Sequence, residues 1–365
     1  MARPLIAAIN LAALRHNYQL ALGQSATGTA VAVVKADAYG HGAIPVARTL
    51  SDLAPAFGVA CIEEAEQLRT AGIQQPILLL EGFFEAEEIP QLLQQQYQPV
   101  LHSQWQIDQL TSHLQQHPVK PGSLNVWLKV DTGMHRLGLA PEAVTAAWQT
   151  LRQLPAIGEM TLVTHFARAD ETNCPVTEQQ ITRFQALQQQ LQCPASLANS
   201  AATLHWQAAQ QGWLRPGIML YGASPLVTGH PLGEQLQPVM TLESRLISVR
   251  DLPAGEAVGY GGRFVTSQAT RIGVIACGYG DGYPRQARDG TPILVNGRRC
   301  SLAGRVSMDM MTVDLGPGSS DQPGDPVELW GNNLSVNEVA DWCDTISYTL
   351  LTGLLPRVRR IYSGE

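Results

Sequence analysis

The chain is short of lysine, of long apolar runs and of clustered charge of one sign, and each shortage narrows what it can be. Lys35 is the only lysine in the first 119 residues. No apolar stretch approaches the roughly 20 residues that a membrane-spanning helix needs. There is no basic run and the formal net charge is −7, so neither nucleic acid nor an anionic membrane surface is expected as a partner. The six cysteines, Cys61, Cys174, Cys193, Cys277, Cys300 and Cys343, are scattered and lack the C-x-x-C spacing of a metal site, so no metal is expected. The N-terminal "MARPLIAAINLAALRHNYQ" is mildly apolar, but Asn10 interrupts it and no small-residue cleavage site is evident. A cytoplasmic protein with reduced thiols, buried as small hydrophobes, is therefore expected. What remains is ordinary for a packed chain: 365 residues, 45% hydrophobic and 15% charged, enough for two domains or for one large barrel with an addition.

Eight apolar runs alternate with amphipathic helical stretches. They are "VAVVKA" (31–36), "FGVACI" (57–62), "PILLLEG" (76–82), "QPVLHS" (98–103), "NVWLKVD" (125–131), "MTLVTHFA" (160–167), "ASLANS" (195–200) and "WLRPGIMLYG" (213–222). Continuous apolar runs of this length suit parallel strands covered on both faces. Eight such units over residues 1–235 predict an N-terminal (β/α)8 barrel of the TIM type, whose active residues sit at the C-terminal ends of the strands. Beyond the linker-like "GHPLGEQLQP" the texture changes. Residues 236–365 predict a mostly β domain, with a hairpin at Asn296-Gly297, a strand at "DPVELWG" and one helix near "SVNEVADWCD".

The polar exceptions fall at strand ends. Lys35 closes the first run, Lys129 and Asp131 the fifth, His165 the sixth, and Asn199 and Ser200 the seventh, while Arg215 lies in the eighth. Five strands thus deliver polar groups to one face. Desolvation at a strand end favours the neutral, nucleophilic amine. Such a lysine is what a Schiff base with an aldehyde requires, and pyridoxal phosphate is one such aldehyde. Barrels often build a phosphate cradle from the loops after strands seven and eight, where Asn199, Ser200, Gly217 and Ile218 stand here.

"AVVKADAYGHG" resembles the cofactor-lysine motif of the alanine racemases, pyridoxal-phosphate enzymes with a barrel followed by a β domain. The resemblance runs nearly end to end, through "LKVDTGMHRLG", "THFARAD", "ANSAA", "LRPGIMLYG", "VGYGGRF", "GYGDGYPR", "GRVSMDM" and "DTISYTLLTGL". It implies interconversion of L-alanine and D-alanine by two bases, Lys35, which also holds the cofactor, and Tyr260. It implies that Tyr39, Ser200, Gly217, Ile218 and Tyr348 lie beside the phosphate, with Asn199 nearby. Arg215 would face the pyridine nitrogen, and His165 would lie between Arg215 and Tyr260. Arg136 and the backbone of Met308 would receive the substrate carboxylate, with Lys129 carbamylated to brace Arg136. A homodimer with composite sites is implied, in which Tyr260 acts on the partner's barrel. Three other readings stand beside it: a racemase preferring serine, a non-catalytic pyridoxal-phosphate carrier, and a barrel-type decarboxylase. The β domain and Tyr260 weigh against the carrier, and Arg215 in place of an acidic ring partner weighs against the decarboxylase. Whether the product serves cell-wall synthesis or alanine is broken down stays open.

Overall fold

The computed structural model describes residues 3–25 and 28–364. Seven parallel strands follow one another around a curled sheet: Val31–Val33, Ala56–Val59, Ile77–Leu79, Gln98–Leu101, Leu124–Lys129, Ile157–Val163 and Ala195–Ser196. The segment after them closes the circle. Leu214 forms a parallel bridge with Ala30, its carbonyl accepts from the Val31 N–H at 2.8 Å, and the Pro216 carbonyl accepts from the Val33 N–H at 3.1 Å. On the other side the Trp213 N–H donates to Ala195 O and the Arg215 N–H to Ala198 O, each at 2.9 Å. The eighth run is thus in place but is shorter than the expected 213–222. Pro216 has no N–H with which to continue a ladder, and the chain turns into a 3-10 segment at Ile218–Tyr221.

Inside the barrel, Val31, Ala56, Leu78, Val100, Trp127 and Val163 form one packed layer, so the interior is a core and not a pore. The outer helices carry ordinary start signals. Ser103 accepts from the Gln106 N–H to cap Gln104–Gln116, and proline opens Pro141–Arg152 and Pro175–Leu191.

The second unit is a sheet of eight strands in the order Thr270–Ile275, Met311–Gly316, Arg298–Leu302, Pro292–Val295, Pro326–Trp330, Met240–Leu252, Ile6–Asn10, Arg359–Ser363. Thr270–Ile275 also pairs with Met240–Leu252, which closes six of the strands into a barrel-like ring. The hairpin at Asn296-Gly297 is present. Val295 pairs with Arg298, and both turn residues have positive φ, 51° and 74°, as a two-residue type I′ turn requires.

Two features depart from the expectation. The N-terminal strand Ile6–Asn10 is not part of the barrel but lies between Met240–Leu252 and Arg359–Ser363 in the second sheet. Asn10, which interrupts the apolar run, ends that strand and caps the helix Leu11–Leu22 by accepting from the Ala13 N–H at 3.1 Å. The second unit also has two helices rather than one, Val336–Trp342 and Ser347–Thr352. The latter has six residues and no side-chain cap, which leaves little pattern to read. All six cysteines are free thiols, five of them buried. Among the described residues no helix is long and apolar enough to cross a membrane, and no cluster of three metal-ligating side chains occurs.

Candidate active site

The C-terminal ends of the barrel strands open into a cavity of about 610 Å³. Its walls include Lys35, Tyr39, Lys129, Arg136, His165, Asn199, Ser200, Arg215, Gly217, Ile218 and Tyr348. Eleven of the thirteen site residues expected from sequence therefore meet in one place. The other two, Tyr260 and Met308, stand on the β domain and are 70% and 55% exposed.

Arg215 is buried at 7% exposure. Its guanidinium donates to Thr164 O, Ser196 Oγ and Leu197 O, all neutral oxygens. Burial pulls it down to about 10, so it keeps its charge at neutral pH. His165 is driven the other way. Burial first, then the cations Arg215, Lys129, Arg136 and Lys35, lower it well below the ordinary imidazole range and keep the ring neutral. Lys129 is 9% exposed, and burial lowers it to about 8, with Arg215, Arg136 and Lys35 adding repulsion that Glu81 partly offsets. Arg136 follows on an Asp131-centred turn. Burial alone would raise the Asp131 carboxyl, but N–H bonds from His135, Gly133 and Met134 hold it low.

The same cavity also holds a polar cradle. Ser200 Oγ accepts from the Gly217 N–H at 2.8 Å and the Met219 N–H at 3.3 Å. Asn199 caps the short helix Ser200–His205 through the Ala202 N–H. A Cβ built on Gly217 would lie 2.4 Å from the Tyr39 hydroxyl, so only glycine lets that phenol approach the backbone here. Tyr39 and Tyr348 sit 6.0 Å apart between ring centroids. Burial raises both, Tyr348 to about 12, so each keeps its proton and can donate it. With two N–H groups donating to it, Ser200 Oγ keeps its own proton to give, and with the Tyr39 and Tyr348 hydroxyls in the same cavity wall this donor set fits a phosphate dianion. Arg215 in the same cavity suits a ring nitrogen, and Lys35 lines it too.

Several participants were not anticipated from sequence. Glu81 enters the cavity at the end of "PILLLEG", where the strand-end rule would have found it. Tyr221 stacks on Tyr39 at 4.8 Å and donates to Val33 O at 2.9 Å, and His41 stacks on its other face at 4.5 Å. Sequence gave no hint, moreover, that Ala36, Asp37, Ala38 and Tyr39 all adopt left-handed backbone, with φ of 52–53°. At about 1–2 kcal/mol for each non-glycine residue, this turn stores roughly 4–8 kcal/mol that its surroundings must offset.

A (β/α)8 barrel with Lys35, a buried guanidinium and a polar cradle at its mouth, joined to a β domain, defines a barrel enzyme suited to pyridoxal phosphate. The alanine racemase N-terminal domain family matches residues 9–225 and the alanine racemase C-terminal domain family residues 239–362. The alanine racemase of Chromohalobacter salexigens is 54% identical over 363 residues, covering 99% of this chain and 98% of its own. The catabolic alanine racemase of Pseudomonas aeruginosa is 52% identical over 363 residues, 99% of each chain. The biosynthetic alanine racemase of that organism, a crystal structure, superposes with a TM-score of 0.93 at 49% identity over 99% of both chains. The Bartonella henselae alanine racemase, solved with covalently bound pyridoxal phosphate, gives 0.89 at 31% identity over 99% of both. The chain belongs to the alanine racemase family, the pyridoxal-phosphate-dependent amino-acid racemases.

Proposed function

We propose that the chain interconverts L-alanine and D-alanine with two bases, Lys35 of one copy and Tyr260 of a second, at composite sites in a homodimer. The observation that carries this reading is the split itself: one cavity collects Lys35, Arg215, His165, Arg136 and the Ser200–Gly217–Tyr39 cradle, while Tyr260 and Met308 stand exposed on the other domain. Pyridoxal phosphate, when bound, takes the amino group of the substrate and makes its α-hydrogen acidic. Lys35 anchors that group and then takes or returns the α-proton at Nζ on one face of the substrate carbon. Tyr260 does the same at its phenolic oxygen on the opposite face, so the centre inverts. Arg215 keeps its protons and would donate to the ring nitrogen of the bound cofactor, which would then carry no proton of its own, restraining reactions other than racemisation. Ser200, Gly217, Ile218, Tyr39 and Tyr348 hold the phosphate, and Asn199 fixes the helix that carries Ser200. Arg136 and the Met308 N–H bind the carboxylate, and a carbamate on Lys129 braces Arg136. Six unpaired cysteines suit a reducing compartment such as the cytoplasm.

The test is covalent. Borohydride added to protein loaded with pyridoxal phosphate should leave a stable pyridoxyl group on the peptide containing Lys35. L-alanine should racemise in the unreduced sample and not in the reduced one. A label on Lys129 or Lys120 would overturn the assignment.

A further inference from the structure

The lysine at the cavity wall is joined directly to a backbone turn of the wrong hand. From Ala36 to Tyr39 the chain is left-handed, and the turn must be held because alanine and tyrosine do not choose it and aspartate does so only singly. Its far end is well secured. Asp37 Oδ1 accepts from the Ala43 N–H at 2.7 Å, Arg360 Nε donates to Gly40 O at 2.8 Å, and the Tyr362 hydroxyl donates to His41 O at 3.1 Å. The near end, where Lys35 is attached, has one side-chain hold. Glu64 Oε1 accepts from the Ala36 N–H at 2.7 Å, and its other oxygen accepts from the Ala60 N–H at 2.8 Å. Glu64 lies in the first turn of the helix Ile62–Thr70, where the helix dipole favours a carboxylate. One carboxylate therefore ties the end of the first barrel strand to the end of the second.

We infer that Glu64 is a positioning residue for Lys35. One oxygen of its carboxylate, the other being held by the Ala60 N–H, fixes the Ala36 amide, and with it the direction in which the preceding residue projects its side chain. Without it the near end of the left-handed turn loses its charge-assisted bond and can relax toward right-handed backbone, which swings Lys35 away from the cradle. Glu64 touches neither substrate nor cofactor, so it acts only through the backbone. The inference rests on the reading of Lys35 as the residue that carries pyridoxal phosphate.

The experiment compares the parent protein with Glu64→Ala, Glu64→Gln and, as a control on the same helical turn, Glu63→Gln. Amide hydrogen exchange is followed on protein stripped of pyridoxal phosphate. The rate of borohydride-trapped labelling at Lys35 after adding pyridoxal phosphate is followed separately. In Glu64→Ala, exchange in the peptide spanning 34–43 should rise about tenfold while the hairpin at 292–302 is unchanged. Labelling at Lys35 should slow about tenfold, and kcat should fall by a similar factor with KM for alanine within about twofold, since Arg136 is untouched. Glu64→Gln, which keeps a single carbonyl acceptor in the same volume, should fall between, and it decides the matter if the alanine variant does not fold. Glu63→Gln should match the parent. Unchanged exchange in both Glu64 variants would overturn the inference. So would faster exchange with unchanged labelling and kcat, because the contact would then be structural only. Labelling of another lysine in the parent would instead overturn the reading of Lys35, whatever Glu64 does.

Discussion

Arg215 and Lys129 are the two buried Lys or Arg side chains among the described residues, and burial affects them differently. The guanidinium starts so high that a fall to about 10 leaves it charged, whereas the ammonium, lowered to about 8, lies within reach of neutrality. Arg215 is thus a permanent donor. Arg215→Glu should slow racemisation at least tenfold and raise the share of amino transfer, measured as pyruvate formed per alanine racemised. An unchanged ratio would mean that Arg215 does not touch the ring. Lys129 is a candidate for carbamylation because the neutral amine is what reacts with carbon dioxide. The free amine increases as pH rises through about 8, so a carbamate signal in protein equilibrated with ¹³C-labelled carbon dioxide should grow across that pH and be absent from Lys129→Ala. The variant should lose activity, and acetate should restore part of it by supplying Arg136 with a carboxylate. A bare ammonium at Lys129 beside an ordered Arg136 in a high-resolution map would refute this. Both residues were legible in sequence because a cation at the end of an apolar run, as Lys129 is, or within one, as Arg215 is, is conspicuous. Glu64 was not: in "CIEEAEQLRT" it is one of three glutamates on a helix, and only its distances to Ala36 and Ala60 separate it from Glu63 and Glu66.

The left-handed turn follows Lys35 directly, and His41, two residues beyond it, bonds back to its carbonyls. His41 is fully buried, and its Nδ1 lies 2.9 Å from Tyr39 O and 3.1 Å from Ala38 O. Two carbonyl partners require the proton on Nδ1. Burial pulls the ring down to about 4; those carbonyls oppose the fall and Arg360 adds to it. The unfolded chain titrates near the ordinary value of 6.5. Between the two values the unfolded chain binds the extra proton, so stability is fully present above 6.5 and is lost as pH falls toward 4. The whole effect is about 3 kcal/mol. Urea midpoints measured at descending pH across this window should therefore fall more steeply for the parent than for His41→Gln. Equal slopes would show that His41 takes up its proton without unfolding the turn.

At the scale of the molecule, the cavity and Tyr260, the proposed second base, are on different domains, and the β domain exposes a set of large side chains, Tyr260, Met308, Met310 and Leu355 among them. A two-fold symmetric pairing that covers this face with the partner's barrel mouth makes two equal sites. Lys35→Ala and Tyr260→Phe chains should each be nearly inactive alone. A verified mixed dimer then holds one site with both lesions and one with neither, and should recover about half the parent activity per dimer. Persistent inactivity of that mixed dimer would overturn the shared-site reading. The same pairing should be visible as a dimer in analytical ultracentrifugation.

The barrel and its polar mouth could be read along the chain because both follow from local rules. Parallel strands buried on two faces must be continuous apolar runs, so a lysine, histidine or arginine ending such a run is visible without coordinates. The Asn296-Gly297 hairpin was visible for the same kind of reason, since few residue pairs accept two positive φ angles. The N-terminal strand was not visible. Ile6–Asn10 finds its partners more than 200 residues away, at Met240–Leu252 and Arg359–Ser363, and a five-residue apolar segment does not say which sheet will take it. The left-handed turn was hidden as well. In "KADAY" only Asp37 tolerates that hand; the rest of the turn is held by bonds at or just beyond its ends, to Glu64 from the barrel and from Arg360 and Tyr362 of the β domain.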